Sequence, residues 1–121
     1  MEFCWITLSV NNMEESLHFY RDLLDLPISR RFTSNEVVEI VMLGSEDNVK
    51  IELICNSNEK KEKHTEGFSI GFEVPSLADA MSQMKNNGIQ ITKGPFSPNP
   101  RISFCYVNDP DGFEVQLVEN S

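Results

Sequence analysis

Histidine and tryptophan are scarce in this chain of 121 residues: His18 and His64 are the only imidazoles and Trp5 the only indole. So few imidazoles weigh against a histidine-rich metal centre. Cysteine is scarce too. Cys4, Cys55 and Cys105 are odd in number, far apart and without a CxxC pair. That excludes a disulfide or zinc framework and fits buried free thiols in a reducing cytosol. No apolar run approaches the roughly 20 residues that a membrane-spanning helix needs. The opening MEFCWITLSV has no basic stretch and no small-residue cleavage site, so no signal peptide is expected. Bases are few as well: ten Lys+Arg stand against nineteen Asp+Glu, a formal charge of −9. A phosphate backbone would be repelled, which argues against a nucleic-acid partner. The same charge favours solubility and concentrates cationic ligands in a cleft.

What is present is an ordinary globular composition, 40% hydrophobic and 24% charged, arranged as one unit written twice. Sliding the sequence against itself by 64 residues brings Ile6–Val10 onto Ile70–Val74, Met13 onto Leu77 and Leu17 onto Met81. The same offset brings Gly44–Asn48 onto Asn108–Gly112 and Ile51–Leu53 onto Val115–Leu117. Each half opens with period-two alternation, the mark of a strand with one face on a core. Ile6, Leu8 and Val10 oppose Trp5, Thr7 and Ser9. Ile70, Phe72 and Val74 oppose Ser69, Gly71 and Glu73.

A helix follows in each half. Asn12 is a good N-cap with Glu15 three residues on, and Met13, Leu17, Tyr20 and Leu24 recur at helical spacing. Pro27 limits its extent. In the second half Ser76 caps, Asp79 follows, Leu77, Met81 and Met84 form the stripe, and Asn87-Gly88 ends the helix. Three further strands are expected per half: Ile28–Thr33, Val37–Leu43 and Val49–Cys55, then Ile89–Thr92, Ile102–Val107 and Phe113–Glu119. Gly44–Asn48 and Asn108–Gly112 are the hairpin turns. Gly94–Arg101, with Pro95, Pro98 and Pro100, reads as a loop. Phe96 in that loop is either its anchor or a pocket wall.

The fold class is therefore α+β: a single domain, 1–121, of two βαβββ modules, 1–56 and 68–121, joined by a charged linker, 57–67. Two such sheets side by side share a concave cleft.

This pattern resembles the vicinal-oxygen-chelate superfamily, which includes glyoxalase I, bleomycin-resistance proteins and extradiol dioxygenases. The residues that carry the resemblance are Ile6–Val10, then Asn12–Leu17 with Phe19-Tyr20, then Val49–Leu53, Phe68–Leu77, and Asp109-Pro110-Asp111-Gly112 through Leu117. Together they span nearly the whole chain. One departure is Asp25, where the family usually has glycine after the helix. The resemblance implies a metal site on the concave face, with ligands from the positions held here by Trp5, Glu52, Ser69 and Gln116. It also implies a homodimer, since members commonly pair.

The chemistry at those positions is thin. Trp5 has no lone pair for a metal, and Ser69 is a poor ligand unless ionised. Glu52 is a good hard ligand and Gln116 a weak carbonyl donor, so the metal set Glu52 and Gln116 reads as vestigial and no cofactor is expected. His18 lies on the exposed flank of its helix and His64 in the linker. By alternation the open face presents Trp5, Thr7, Lys50, Glu52, Ser69, Glu73, Glu114 and Gln116. That mixture suits a small organic molecule, cationic or aromatic. The favoured function is metal-free binding that sequesters such a molecule. The alternative is a metal-dependent, glyoxalase-like lyase in which Glu52 is the catalytic ligand or base. A third reading is an interaction module with no small ligand.

Overall fold

The computed structural model describes every residue except 61 and 63–65. His64 and part of the expected charged linker therefore lie outside the described residues. The chain divides into two compact units, Met1–Glu62 and Lys63–Ser121.

The first unit runs β1 (Trp5–Ser9), α1 (Met13–Leu17), a π-helical stretch (His18–Leu23), β2 (Ile28–Ser34), β3 (Val38–Leu43) and β4 (Lys50–Asn56). Its sheet has the order β1-β4-β3-β2, with β1 parallel to β4 and the other pairs antiparallel. The helix covers one face. Leu8, Leu17, Tyr20, Val41, Leu43 and Leu53 are all buried there. Asn12 caps as expected, its side chain accepting the Glu15 N–H at 3.0 Å.

The helix then departs from the expected period. After Leu17 its hydrogen bonding widens, and the Leu24 N–H reaches the Phe19 carbonyl, five residues back, at 3.1 Å. The wider turn brings adjacent Phe19 and Tyr20 inward together, edge to face with centroids 4.8 Å apart, and puts Leu23 in the core. Leu24, expected in the stripe, is only half-buried. Asp25 follows with φ 58°, the left-handed conformation that glycine adopts freely at a helix end.

The second unit repeats the plan: β5 (Ile70–Glu73), α2 (Leu77–Asn86), β6 (Lys93–Asn99), β7 (Ile102–Asn108) and β8 (Glu114–Asn120), in the order β5-β8-β7-β6. Ser76 caps α2 by accepting the Asp79 N–H at 3.1 Å, and Glu119 accepts the Leu77 N–H at 2.7 Å. Leu77 and Met84 are buried and Met81 is half-buried.

Two expectations fail here. Ile89–Thr92 is not a strand, and the proline-rich segment expected as a loop contains one, β6. The prolines are tolerated because β6 is the sheet edge and pairs with β7 only at Lys93, Phe96 and Asn99, with register shifts between them. Pro95 and Pro98 fall outside those paired positions. Phe96 packs on Phe104 of β7, centroids 5.6 Å apart, which makes it an anchor of this edge.

The cysteines also differ from expectation. Only Cys105 is buried. Cys55 is half-buried near the end of β4, and Cys4 is exposed because it precedes β1.

Candidate functional site

In the first unit the strand register fixes what the face away from α1 presents. Trp5 lies opposite Lys50, Thr7 opposite Glu52, and Ser9 opposite Ile54. The β3–β4 register places Met42 beside Glu52, and the β2–β3 register places Arg30 beside Met42. One row across the sheet therefore reads Thr7, Glu52, Met42, Arg30.

These side chains surround a pocket of about 420 Å³, lined by Trp5, Arg30, Phe32, Met42, Lys50 and Glu52, with Cys4, Ser29 and Glu46 completing it. Trp5 keeps 48% of its surface exposed and Phe32 42%, so both rings are available to a flat partner. The polar groups are held. The Thr7 hydroxyl donates to Glu52 Oε1 at 2.6 Å. Lys50 donates through Nζ to the carbonyls of Glu46 at 2.9 Å and Asn48 at 3.2 Å. The Ser29 hydroxyl donates to the Met42 carbonyl at 3.1 Å. Arg30 lies over the Phe32 ring, its Cζ 5.3 Å from the centroid.

The second unit carries the other expected residues. Ser69 and Glu114 line a pocket of about 400 Å³ with Glu66, Gly67, Phe68 and Lys93. Lys93 pairs with Glu114 at 2.9 Å and lies over the Tyr106 ring, 4.7 Å from its centroid. That carboxylate, as its hydrogen-bond and charge partner, pushes the Lys93 ammonium above its ordinary range. The Gln116 amide donates to the Tyr106 hydroxyl at 3.3 Å, and Glu73 accepts from Asn120 at 2.9 Å. Gln116 and Glu73 line neither of these two pockets.

So the expected Trp5, Lys50 and Glu52 come together, and Thr7 joins them through its hydrogen bond. Arg30, Phe32 and Met42 were not foreseen. The signal lay in β2 and β3, whose alternation continues the open face outward from β4. It is hidden by an irregularity between Ile28 and Arg30, which changes the parity of β2.

At the first unit's positions where the resemblance implies metal ligands, the side chains offer a metal ion only one donor group. In the first unit Trp5 offers no lone pair, and the one carboxylate there, Glu52, accepts the Thr7 hydroxyl. Among the described residues no three His, Cys, Asp or Glu side chains come together as a candidate metal site. His18, the described imidazole, is exposed on the other side of the unit and lies 3.4 Å from Asp22.

Residues 3–117 match the model of the Glyoxalase/Bleomycin resistance protein/Dioxygenase superfamily. The chain belongs to that superfamily. It is 26% identical to a lactoylglutathione lyase of Haemophilus influenzae, over 99% of this chain and 93% of the relative. Among solved structures it superposes on the glyoxalase I of Leishmania major, described as trypanothione-dependent, with a TM-score of 0.85. That match is 22% identical and covers 98% of this chain and 86% of the other. A glyoxalase family protein of Bacillus cereus gives a TM-score of 0.83 at 16% identity, covering 97% and 92%. These structural likenesses concern the fold.

Proposed function

We propose that the chain binds and sequesters a small organic molecule with a planar portion in the pocket of the first unit, without a metal ion. The observation that carries this reading is Trp5, half-exposed in the pocket at a position where the resemblance implies a metal ligand. An indole there replaces a ligand with a half-exposed aromatic wall, beside Phe32 and Met42. A concavity with Trp5, Phe32 and Met42 as apolar walls and Arg30, Lys50 and Glu52 as placed polar groups is what small-molecule recognition uses. The proposal includes a homodimer in a reducing compartment. Three cysteines outside any disulfide support the compartment, and sedimentation as a monomer at high concentration would sink the dimer.

A second reading is a glyoxalase-type lyase, favoured by the lactoylglutathione lyase relative that covers nearly the whole chain. In that reading Glu52 carries the chemistry. Among the described residues no three His, Cys, Asp or Glu side chains come together to hold a metal for it.

Elemental analysis after dialysis, beside Glu52→Ala, separates the two. About one divalent transition metal per chain, lost in the variant, favours the lyase. No metal in either protein, with saturable small-molecule quenching of Trp5 emission that ignores chelators, supports sequestration. Lactoylglutathione lyase turnover with added divalent metal would overturn it.

A further inference from the structure

Arg30 and Arg31 are adjacent in β2, and alternation sends them to opposite faces of the sheet. Arg31 turns to the helix side, where it pairs with Glu14 at 3.0 Å and Glu39 at 2.7 Å. Arg30 turns to the pocket. Among the described residues no carboxylate pairs with it, and its partner is the Phe32 ring. Acids are not in short supply in a chain with nineteen Asp+Glu. Arg21, Arg31 and Lys93 have each found one. Of the four arginines, Arg30 and Arg101 pair with no carboxylate among the described residues, and of these two it is Arg30 that lines the pocket.

The pocket's own charges do not oppose an anion. Arg30 and Lys50 balance Glu46 and Glu52 there, so the site is locally neutral although the chain is −9. Glu52 accepts a hydroxyl, and Glu46 lies on the exposed turn before β4. Lys50 donates to backbone carbonyls, which hold its ammonium in place without neutralising it, as the Thr7 hydroxyl holds Glu52. A guanidinium lying against an aromatic face has its N–H groups at its rim, and that fork matches a carboxylate with two parallel hydrogen bonds.

We infer that the pocket takes an organic anion, a carboxylate borne on a flat apolar group, with Arg30 as the anchor for the charge and Trp5 and Phe32 as the walls. This rests on the metal-free binding role proposed above and adds the sign of the ligand's charge. The acidity of the whole chain favours a cation at long range. Screening over roughly 10 Å leaves short-range pairing with Arg30 to decide the outcome.

The test uses benzoate, benzamide and benzamidine, which share a ring and differ in charge. Binding is read on the indole N–H resonance of Trp5, unambiguous because the chain has one tryptophan. Benzoate binds at least about tenfold more tightly than benzamide, and benzamidine more weakly still. In Arg30→Gln the benzoate affinity falls to that of benzamide, while benzamide itself changes less than about twofold. Arg30→Lys keeps part of the preference, and circular dichroism checks that both variants are folded. Benzamide or benzamidine binding as tightly as benzoate overturns the inference and leaves the binding role standing. So does an Arg30→Gln protein that binds benzoate normally. A Trp5 resonance unmoved by all three probes overturns both.

Discussion

Thr7 and Glu52 face each other across the parallel β1–β4 pair, and the threonine hydroxyl donates to Glu52 Oε1 at 2.6 Å. The bond fixes one carboxylate oxygen at the base of the pocket. A hydrogen bond to a charged acceptor is stronger than a neutral one, but partial exposure to water reduces its net worth. Thr7→Val is expected to cost about 0.5–1.5 kcal/mol in urea unfolding. Combined with Glu52→Ala it should cost less than the two single changes added together. Strict additivity would mean that the bond contributes nothing.

Asp25 occupies left-handed backbone, φ 58°, immediately after the π-helical turn. Its side chain tolerates this conformation better than most, because a short carboxylate can bond locally. Glycine avoids the steric cost but gives the unfolded chain more freedom. The steric term is the larger, so Asp25→Gly is expected to stabilise by about 0.5 kcal/mol and raise Tm slightly. A lower Tm would mean that the Asp25 side chain makes a bond worth more than the strain.

The three thiols should react in the order of their exposure, Cys4 first, then Cys55, with Cys105 last. Burial pushes the Cys105 thiol above its usual value near 9.0. Folded Cys105 therefore stays protonated where the unfolded chain has begun to ionise. Its contribution to stability is full below pH 9.0 and is lost as pH rises through the higher folded value. Timed iodoacetamide labelling with mass spectrometry checks the order. Cys105 should label only in denaturant, and rapid labelling in buffer would contradict its burial.

Much of this was legible in the sequence because both patterns are local. Alternation placed β1 and the residues Trp5, Thr7, Lys50 and Glu52 on one face. Asn12 and Ser76 announced their helices through the N–H groups they cap. What escaped was non-local. Whether Pro95 and Pro98 lie in a loop or a strand depends on β6 being an edge, which no window of sequence contains. Arg30 and Phe32 escaped because the irregularity before Arg30 reverses the alternation, and only pairing with β3 reveals it. The π-helical turn escaped because Met13, Leu17, Tyr20 and Leu24 fit a 3.6-residue period, and the widening shows only in backbone bonds such as Leu24 N–H to the Phe19 carbonyl.

The offset of 64 residues makes a prediction of its own. It pairs Leu53 of β4 with Leu117 of β8. Each is fully buried, each lies at the centre of its sheet's helix-covered side, and each has a valine or cysteine opposite on the neighbouring strand: Val41 and Cys105. Truncation at either site removes the same methyl groups from the same place in the repeated plan. Leu53→Ala and Leu117→Ala are therefore expected to cost about 2–5 kcal/mol each, with values close to one another. Each cost should exceed that of changing Val118, the half-buried neighbour on the open face of β8, to alanine. Equilibrium unfolding in urea measures all three. A Leu117→Ala cost below about 1 kcal/mol beside a large one for Leu53→Ala would show that the second core collapses around the gap, and that the two halves are alike in topology but not in packing.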